Sequence, residues 1–268
     1  MCDACVLQSV ASQLGRRGVL AALALAASLP GAAAAQPIRV TSFSRVVDLT
    51  HTLHPSFPTY SGDPAIAVQK LTDIAKDGYA LNRLTYAEHV GTHIDAPSHF
   101  SATGIPVDQI PAQNLVCPLF VIDISARAAA NPDAELTPDD ITAFEKVHGR
   151  IPAGACVALR SGWDARAGDP RFRNADAAGT LHFPGFRPDT APLLLARNVA
   201  GVAVDTLSID HGASKDFAFH RAWLGAGRWG LECAANLGQV PPKGASIVAG
   251  APKFAGGTGG PSRVIALL

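Results

Sequence analysis

Residues 88–100 read Glu-His-Val-Gly-Thr-His-Ile-Asp-Ala-Pro-Ser-His-Phe, which places three histidines and one aspartate close together. In an extended strand, His89, His93 and Asp95 would project from one face, because side chains alternate between the two faces. A helix would also bring the first two histidines together, at i and i+4, but the intervening Gly91 opposes a helix. Two imidazoles and a carboxylate are typical ligands of a divalent cation and leave coordination positions open for water and substrate. The stretch therefore predicts a metal centre on one face of a strand.

His99 follows this ligand pattern after a proline at position 97. Because a proline forces the preceding residue into an extended conformation, the chain has to turn between Asp95 and His99. We expect His99 to lie beside the metal and its water rather than in line with the ligand face, where an imidazole can act as acid and base. A fourth metal ligand is the alternative role, because imidazole is the commonest protein ligand of metals.

Strand and helix patterns alternate on both sides of the histidine stretch, without repeats or linkers. The segments with strand patterns are 45–53, 81–94, 115–124, 155–160, 199–204 and two more within 245–268. Thr137 as an N-cap and Pro138 at the first helical position predict a helix through about Val147. Two further helices are predicted over 189–197 and 216–225. This alternation is typical of a single α/β domain.

The first 35 residues have the pattern of an export signal rather than of a folded segment. Arg16 and Arg17 precede an apolar stretch at 19–29, and three alanines follow at 33–35. A positive start, an apolar stretch of about a dozen residues and small residues at its end describe a secretory signal peptide. The adjacent arginines resemble a bacterial twin-arginine signal, with ordinary secretion as the alternative. We therefore expect residues 36–268 to form the mature domain, in the periplasm or secreted.

Composition excludes several classes of partner. Of the 268 residues, 48% are apolar, and 22 basic side chains balance 22 acidic ones. Such a balance gives no field that would attract nucleic acid or, after signal cleavage, an anionic membrane. Five cysteines are too few and odd in number for a disulfide scaffold. We expect Cys117, Cys156 and Cys233 to be buried small hydrophobes, with one disulfide as an alternative.

Residues 89–99 read His-x-Gly-Thr-His-x-Asp-x-Pro-x-His, which resembles the signature of the cyclase-like metal-dependent hydrolases. Bacterial kynurenine formamidase (arylformamidase) and isatin hydrolase are members of that family. Further segments that resemble the family lie at 58–64, 160–163, 201–210, 230–232 and 259–263. The resemblance spans about residues 45–268, essentially the whole mature chain. The fold that we expect is a single domain with a mixed, barrel-like central sheet flanked by helices.

The resemblance also implies roles for individual residues. It implies metal ligands at three positions, His89, His93 and Asp95. It implies a catalytic acid/base at His99 and a second metal site completed by His220 and Glu232, with the aspartate bridging. One or two ions follow, with zinc favoured by the histidines and manganese as the alternative. Without the family, His220 reads equally well as a packed core histidine, whereas a carboxylate such as Glu232 is rarely buried unpaired. Asp205 and Asp210 are expected to orient ligands or cap loops.

The function implied is hydrolysis of a C–N bond, in an amide, cyclic amide or formamide, of a small aromatic molecule by metal-activated water. A lactone or ester hydrolase of the same family is one alternative, and a non-catalytic periplasmic metal- or ligand-binding protein is another. His99 favours an enzyme, because a binding protein has no need of an acid/base. Tyr60 stands where the family's formamidases carry a tryptophan against the substrate, which predicts an aromatic wall. Family members also form homodimers or dimers of dimers, so a homo-oligomer is expected.

Overall fold

The structure, a computed structural model, describes residues 42–268; the predicted signal peptide and its cleavage site lie outside the described residues. The strands are β1 (Val46–Asp48), β2 (Ile66–Thr72), β3 (Leu81–Tyr86), β4 (His93–Asp95), β5 (Val116–Asp123), β6 (Glu135–Leu136), β7 (Cys156–Arg160), β8 (Gly185–Phe186), β9 (Gly201–Val204), β10 (Trp229–Glu232), β11 (Ala245–Gly250), β12 (Gly259–Pro261) and β13 (Arg263–Leu267). The α-helices are α1 (Ile74–Asp77), α2 (Ser125–Ala130), α3 (Pro138–His148), α4 (Thr190–Ala196) and α5 (Ala218–Gly225). No helix in this part of the chain is long and apolar enough to cross a membrane.

Nine strands form one mixed sheet in the order β1-β13-β11-β5-β7-β9-β10-β4-β12. The central strands β5, β7, β9 and β10 run parallel, and β4 pairs antiparallel with both β10 and β12. Strands from across this sheet, from Val47 on β1 to Ile94 on β4, contribute to one apolar core, because the sheet curls strongly into a half-barrel. Helices α3, α4 and α5 pack on the other face, through residues such as Ile141, Leu194 and Trp223. The predicted single α/β domain with a barrel-like mixed sheet is confirmed.

Local sequence signals account for the elements that were predicted. Helix α3 begins with a capping box, in which the Thr137 hydroxyl accepts from the Asp140 N–H and the Asp140 carboxylate accepts from the Thr137 N–H. Strands β5, β7 and β9 and helices α4 and α5 also lie within the predicted segments. The three cysteines of the described residues are buried and unpaired, as expected of small hydrophobes: Cys117, Cys156 and Cys233.

The prediction of one continuous strand over 81–94 is wrong. The chain forms β3, leaves the extended conformation, and resumes pairing only at β4. Gly91 lies in the bend with a φ of +62°, and a Cβ there would lie 1.9 Å from Leu53 Cδ2. Only glycine fits this combination of left-handed backbone and close approach. The shared parity of His89 and His93 is therefore not the reason that they converge.

The C-terminal segment contains three strands rather than the predicted two. Residues 259–261 were expected to belong to a glycine loop, but they form β12 and pair with β4. Gly259 makes this approach possible, because a Cβ at this position would lie 2.4 Å from the Ile94 carbonyl oxygen. Pairing partners of this kind are set by tertiary structure, and glycine-rich segments carry little strand signal.

Candidate active site

Strand β4 holds His93 and Asp95 between two strands that leave space around them. Asp95 is opposite Gly230 on β10 and opposite Gly259 on β12, so neither neighbour places a side chain beside the carboxylate. Ile94 points into the core with no exposed surface, which fixes the two polar neighbours on the opposite face. The period-two argument from sequence therefore holds for His93 and Asp95.

His89 reaches the same place through the bend at Gly91 rather than along a strand. Its Nδ1 atom lies 2.7 Å from Asp95 Oδ1, and its ring is edge-on to the His93 ring at 5.2 Å between centroids. The side chain is partly exposed, whereas His93 and Asp95 are buried. The structure thus brings the three predicted ligands together by a route that the strand pattern does not describe.

His220 and Glu232 complete the cluster from α5 and β10. The His220 Nε2 atom lies 3.1 Å from Glu232 Oε1 and 3.4 Å from Asp95 Oδ2. The His93 Nε2 atom lies 3.3 Å from Asp95 Oδ1 and 3.3 Å from Glu232 Oε2. His220 is therefore not a merely packed core histidine, since its ring nitrogen faces two buried carboxylates.

Hydrogen bonds on the far side of each buried group fix its orientation. His93 donates from Nδ1 to the Gly91 carbonyl oxygen at 2.8 Å, and His220 is bound through Nδ1 to Asp210 Oδ2 at 2.5 Å. With Nδ1 engaged, both rings direct Nε2 toward the carboxylates. The Ile209 N–H donates to Glu232 Oε1 at 2.9 Å. Asp210 therefore fixes the orientation of the His220 ring, and its expected role in orienting a metal ligand stays a prediction.

The donor set fits a divalent cation. His93 Nε2 and Asp95 Oδ2 are buried and make no hydrogen bond with any of the described residues, although other polar atoms lie nearby. Buried polar atoms without a partner are rare, so these two call for a group that binds both. His93, Asp95 and Glu232 offer ligand atoms within 4.8 Å of one another, and so do His89, Asp95 and His99. Imidazole nitrogen and carboxylate oxygen together suit zinc or manganese.

The two buried carboxylates of the site, Asp95 and Glu232, are stabilised by positive charge beside them. Burial raises the pKa of Asp95, but hydrogen bonds from the surrounding imidazoles hold it well below its usual value. Burial lowers the pKa of His93, but the proximity of Asp95 and Glu232 raises it to about 9. The pKa of His220 is likewise raised well above its usual value, against the effect of burial, by Asp210, Asp95 and Glu232. In the described residues the ion pairs of these two carboxylates are all with imidazoles, so protons neutralise a site that a bound cation would neutralise instead.

His99 lies at the end of a 3₁₀ turn, Pro97–His99, that follows β4 directly. Ala96 is extended, with φ −84° and ψ 158°, which confirms the predicted turn before His99. The His99 ring stacks on the His89 ring at 3.7 Å between centroids and 19° between planes. Burial lowers the pKa of His99 to about 4, so the ring is neutral at pH 7 and can accept a proton. Its position beside the cluster fits both predicted roles, acid/base and ligand.

The cluster opens into a cavity of about 260 Å³ with an aromatic wall. Its lining includes Tyr60, Phe100 and Phe217 together with the site histidines. The Phe217 ring lies 5.8 Å from the Tyr60 ring and 5.6 Å from the Phe100 ring, measured between centroids. Tyr60 therefore lies where the aromatic wall was predicted. Burial raises the pKa of the Tyr60 hydroxyl, so this side chain stays neutral.

Phe100 and Phe217 were missed as wall residues from the sequence. Phe217 immediately precedes α5 and has a φ of +51°, which is uncommon for a bulky residue and is often found at functional sites. No one-dimensional pattern reveals this conformation. Phe100 directly follows His99, and that adjacency was the one available signal.

The comparisons with known proteins agree with this geometry. The model of the Cyclase family matches residues 47–211. Isatin hydrolase from Roseibium aggregatum is 37% identical over 242 residues, which cover 83% of this chain and 91% of that protein. Kynurenine formamidase from Salinibacter ruber is 27% identical over 222 residues, covering 82% of this chain and 96% of that protein.

Solved structures give the same result for the fold. An isatin hydrolase bound to the product analogue thioisatinate superposes with a TM-score of 0.78 at 33% identity and covers 95% of this chain and 99% of its own. A predicted metal-dependent hydrolase from Bacillus stearothermophilus gives a TM-score of 0.64 at 26% identity, over 83% of this chain and 97% of its own. The resemblance inferred from the histidine motif is therefore shown over nearly the whole described chain.

Proposed function

The chain belongs to the Cyclase family, and on that premise we propose that it is a metal-dependent hydrolase of a C–N bond in a small aromatic molecule. The observation that carries the proposal is the cluster of His93, Asp95 and Glu232, whose buried donor atoms converge at the floor of an aromatic cavity. Relatives that act as an isatin hydrolase and a kynurenine formamidase support an amide, cyclic amide or formamide as the bond cleaved.

The residues divide into those that would hold the cation and those that act on the substrate. The residues that would hold one cation are His89, His93 and Asp95, and His220 and Glu232 would complete a second position together with Asp95. A divalent cation bound there supplies Lewis acidity toward the carbonyl group and activates a water molecule at neutral pH.

His99 is the proposed acid/base. Its neutral imidazole lies beside the cluster, so it can accept a proton from the attacking water and return it to the leaving nitrogen. Stacking on His89 fixes the plane of the ring, which leaves its in-plane nitrogen atoms free to meet the substrate.

The aromatic wall supports a flat aromatic substrate. Tyr60, Phe100 and Phe217 surround a volume suited to one or two fused rings, and offset or edge contacts with them favour such a group. Arg173 holds the Tyr60 loop, because its guanidinium donates to the carbonyl oxygens of Tyr60 and Ser61 at 3.0 Å each. A tyrosine replaces the formamidases' tryptophan here, which favours a cyclic amide over a formamide as substrate.

The test is hydrolysis by the purified mature protein of cyclic amides, formanilides and aryl lactones, before and after removal of metal with a chelator. We expect C–N bond cleavage that is lost with the metal and restored by Zn²⁺ or Mn²⁺. Activity that survives complete metal removal would overturn the mechanism. A lactone or ester hydrolysed faster than every amide would favour the alternative within the family. Metal binding without any turnover would favour a binding protein.

The exposed apolar face of the β2–β3 hairpin supports a homo-oligomer, a dimer or tetramer. Val68 and Leu84 pair across this hairpin and are 49% and 60% exposed, with Tyr86 beside them at 36%. A two-stranded hairpin is marginally stable alone, so a second copy that covers this face would stabilise it. Light scattering should give a dimer or larger species, and Leu84→Asp should shift it toward the monomer. A wild-type monomer at working concentration would remove the proposal.

Export to the periplasm remains a proposal that rests on residues 1–35. Twin-arginine export would let the protein fold and take up metal in the cytoplasm before crossing the membrane. Replacing Arg16 and Arg17 together by lysine should retain the protein in the cytoplasm. Elemental analysis of the periplasmic protein distinguishes zinc from manganese and one ion from two, and copper would contradict both assignments.

A further inference from the structure

The segment Gly257, Thr258 and Gly259 lies behind His89, on the side away from the cavity. The Thr258 hydroxyl lies 3.0 Å from His89 Nε2 and 2.5 Å from Glu88 Oε2. The Thr258 N–H also donates to Glu88 Oε1 at 3.2 Å. Three groups from two distant parts of the sequence thus form a chain of hydrogen bonds that ends on a proposed metal ligand.

Gly257 and Gly259 leave the space in which the hydrogen bonds between Glu88, Thr258 and His89 form. A Cβ on Gly257 would lie 2.9 Å from Glu88 Oε1, and a Cβ on Gly259 would lie 2.7 Å from His89 Cε1. Thr258 is held in place by its own backbone, because its carbonyl oxygen accepts from the Ala96 N–H at 2.9 Å, directly after β4. The hydroxyl is therefore fixed relative to Asp95 as well as to His89.

The direction of the hydrogen bonds follows from the inventory of donors. The Thr258 hydroxyl donates its proton to Glu88 Oε2, because the carboxylate oxygen is the acceptor of this hydrogen bond. The hydroxyl oxygen can then only accept from His89, which requires a proton on Nε2. If His89 binds a cation through Nδ1, the atom that lies 2.7 Å from Asp95, its ring proton has to be on Nε2, where the Thr258 hydroxyl accepts it. Glu88 and Thr258 thereby select the tautomer of His89 that can bind a cation.

We propose that Glu88 and Thr258 are positioning residues that fix the Nε2–H tautomer of His89 and so raise the affinity of the site for a divalent cation. The proposal rests on the metal centre proposed above and adds two residues that touch neither the cation nor the substrate. Outer partners of metal-binding histidines typically affect metal affinity by roughly 10–100-fold.

The experiment measures Zn²⁺ affinity by competition with a chelating indicator, without any substrate. Thr258→Val removes the hydroxyl with little change of shape, and we expect it to weaken Zn²⁺ binding by roughly 10–100-fold. Thr258→Ser keeps the hydroxyl and should restore affinity to near that of the wild type. Thr190→Val is the matched control, because Thr190 is buried, does not line the cavity, and among the described residues its hydroxyl bonds only to the Arg187 carbonyl. It should lose stability without losing metal.

Glu88→Ala gives an independent variant if Thr258→Val does not fold. Without the carboxylate, the Thr258 hydroxyl is free to donate to His89 Nε2, which favours the wrong tautomer and should weaken Zn²⁺ binding as well. The double variant with Thr258→Val should add little to either single loss, because both act through one hydrogen-bond chain. Nitrogen chemical shifts of His89 should report the Nε2–H tautomer in the Zn²⁺-loaded wild type.

Two results would overturn the proposal: wild-type Zn²⁺ affinity in folded Thr258→Val and Glu88→Ala, or an Nδ1–H tautomer of His89 in the loaded protein. Failure of Thr258→Ser to recover affinity would assign Thr258 a packing role instead and also count against it. A wild-type protein that binds no Zn²⁺ or Mn²⁺ would instead remove the metal centre itself, which keeps the two failures distinguishable.

Discussion

Asp95 and Asp205 are both fully buried and lie at the ends of neighbouring parts of one sheet, yet their partners differ. Asp205 accepts from the N–H groups of Ser161, Gly162 and Trp163 and from the Ser161 hydroxyl. Within residues 42–268, the side chain of Asp95 pairs only with imidazole nitrogens, and its Oδ2 atom makes no hydrogen bond. One aspartate is bound by fixed backbone donors, and the other by groups that can exchange a proton for a cation.

The pKa values of the two aspartates diverge accordingly. Burial raises the pKa of Asp205 to about 7, because neutral donors only partly replace the lost hydration. Asp95 is equally buried, but the imidazoles around it hold its pKa well below the usual value. A buried carboxylate whose hydrogen bonds come from backbone N–H groups thus acts as a structural cap. A buried carboxylate whose partners are titratable side chains indicates a binding site.

The largest expected effect is that of Asp95→Asn, which removes the charge at the centre of the cluster. The amide carries no negative charge and presents N–H donors toward the site, so we expect the site to lose its affinity for a divalent cation. Turnover should fall by at least the roughly 10²–10⁴-fold that one catalytic group contributes. Elemental analysis and kcat measure both effects, and normal metal content in this variant would contradict the contrast drawn with Asp205.

His99→Ala tests whether a residue beside the cluster acts on protons or on the metal. As the acid/base, it should leave metal content and folding intact and lower kcat by roughly 10²–10⁴-fold. As a ligand, it should lose metal first, and His93→Ala provides the reference for that outcome. Full metal content with a kcat near that of the wild type would refute both roles and leave His99 as a packing residue.

Asp205→Asn is the counterpart of Asp95→Asn and should affect stability alone. The amide places N–H donors where the backbone N–H groups of Gly162 and Trp163 already converge. We expect a cost of about 1–3 kcal/mol in the free energy of unfolding. Denaturant unfolding at pH 8 measures it, and metal content should match the wild type. Loss of metal with unchanged stability would make the two aspartates equivalent.

The smallest effect extends the comparison to a carboxylate with a permanent cation as its partner. Glu145 is bound by both Arg197 Nε and Nη2 at 2.5 Å, and this hydrogen bonding lowers its pKa. A lowered pKa contributes stability above the unfolded value of about 4.3, and that contribution is lost as pH falls below it. Glu145→Gln should therefore be less stable than the wild type at pH 7, by about 1 kcal/mol, and the difference should shrink by pH 3. If the difference in the free energy of unfolding between the wild type and Glu145→Gln does not change with pH, packing rather than charge stabilises the contact between Glu145 and Arg197.

The sequence by itself determined which residues are candidate metal ligands and most of the sheet. Side-chain chemistry limits where histidines and aspartates can occur together, so the stretch around His93 and Asp95 marked the site without any coordinates. Apolar runs such as β5 and β7 and the capping box of α3 are local signals, which can be recognised from the sequence alone. The family resemblance added His220 and Glu232, which lie far from β4 in sequence.

Only the tertiary structure decided how these residues meet. The bend at Gly91 depends on the space beside Leu53. The approach of β12 depends on Gly259, which lies opposite Asp95. The hydrophobic pattern of neither segment predicts these contacts. The same holds for Phe217, whose left-handed backbone turns its ring into the cavity, and for Thr258, which reaches His89 across 169 positions of sequence. The physical reason is that local patterns record which face of an element is apolar, whereas close approaches and hydrogen-bond partners depend on which elements pack together.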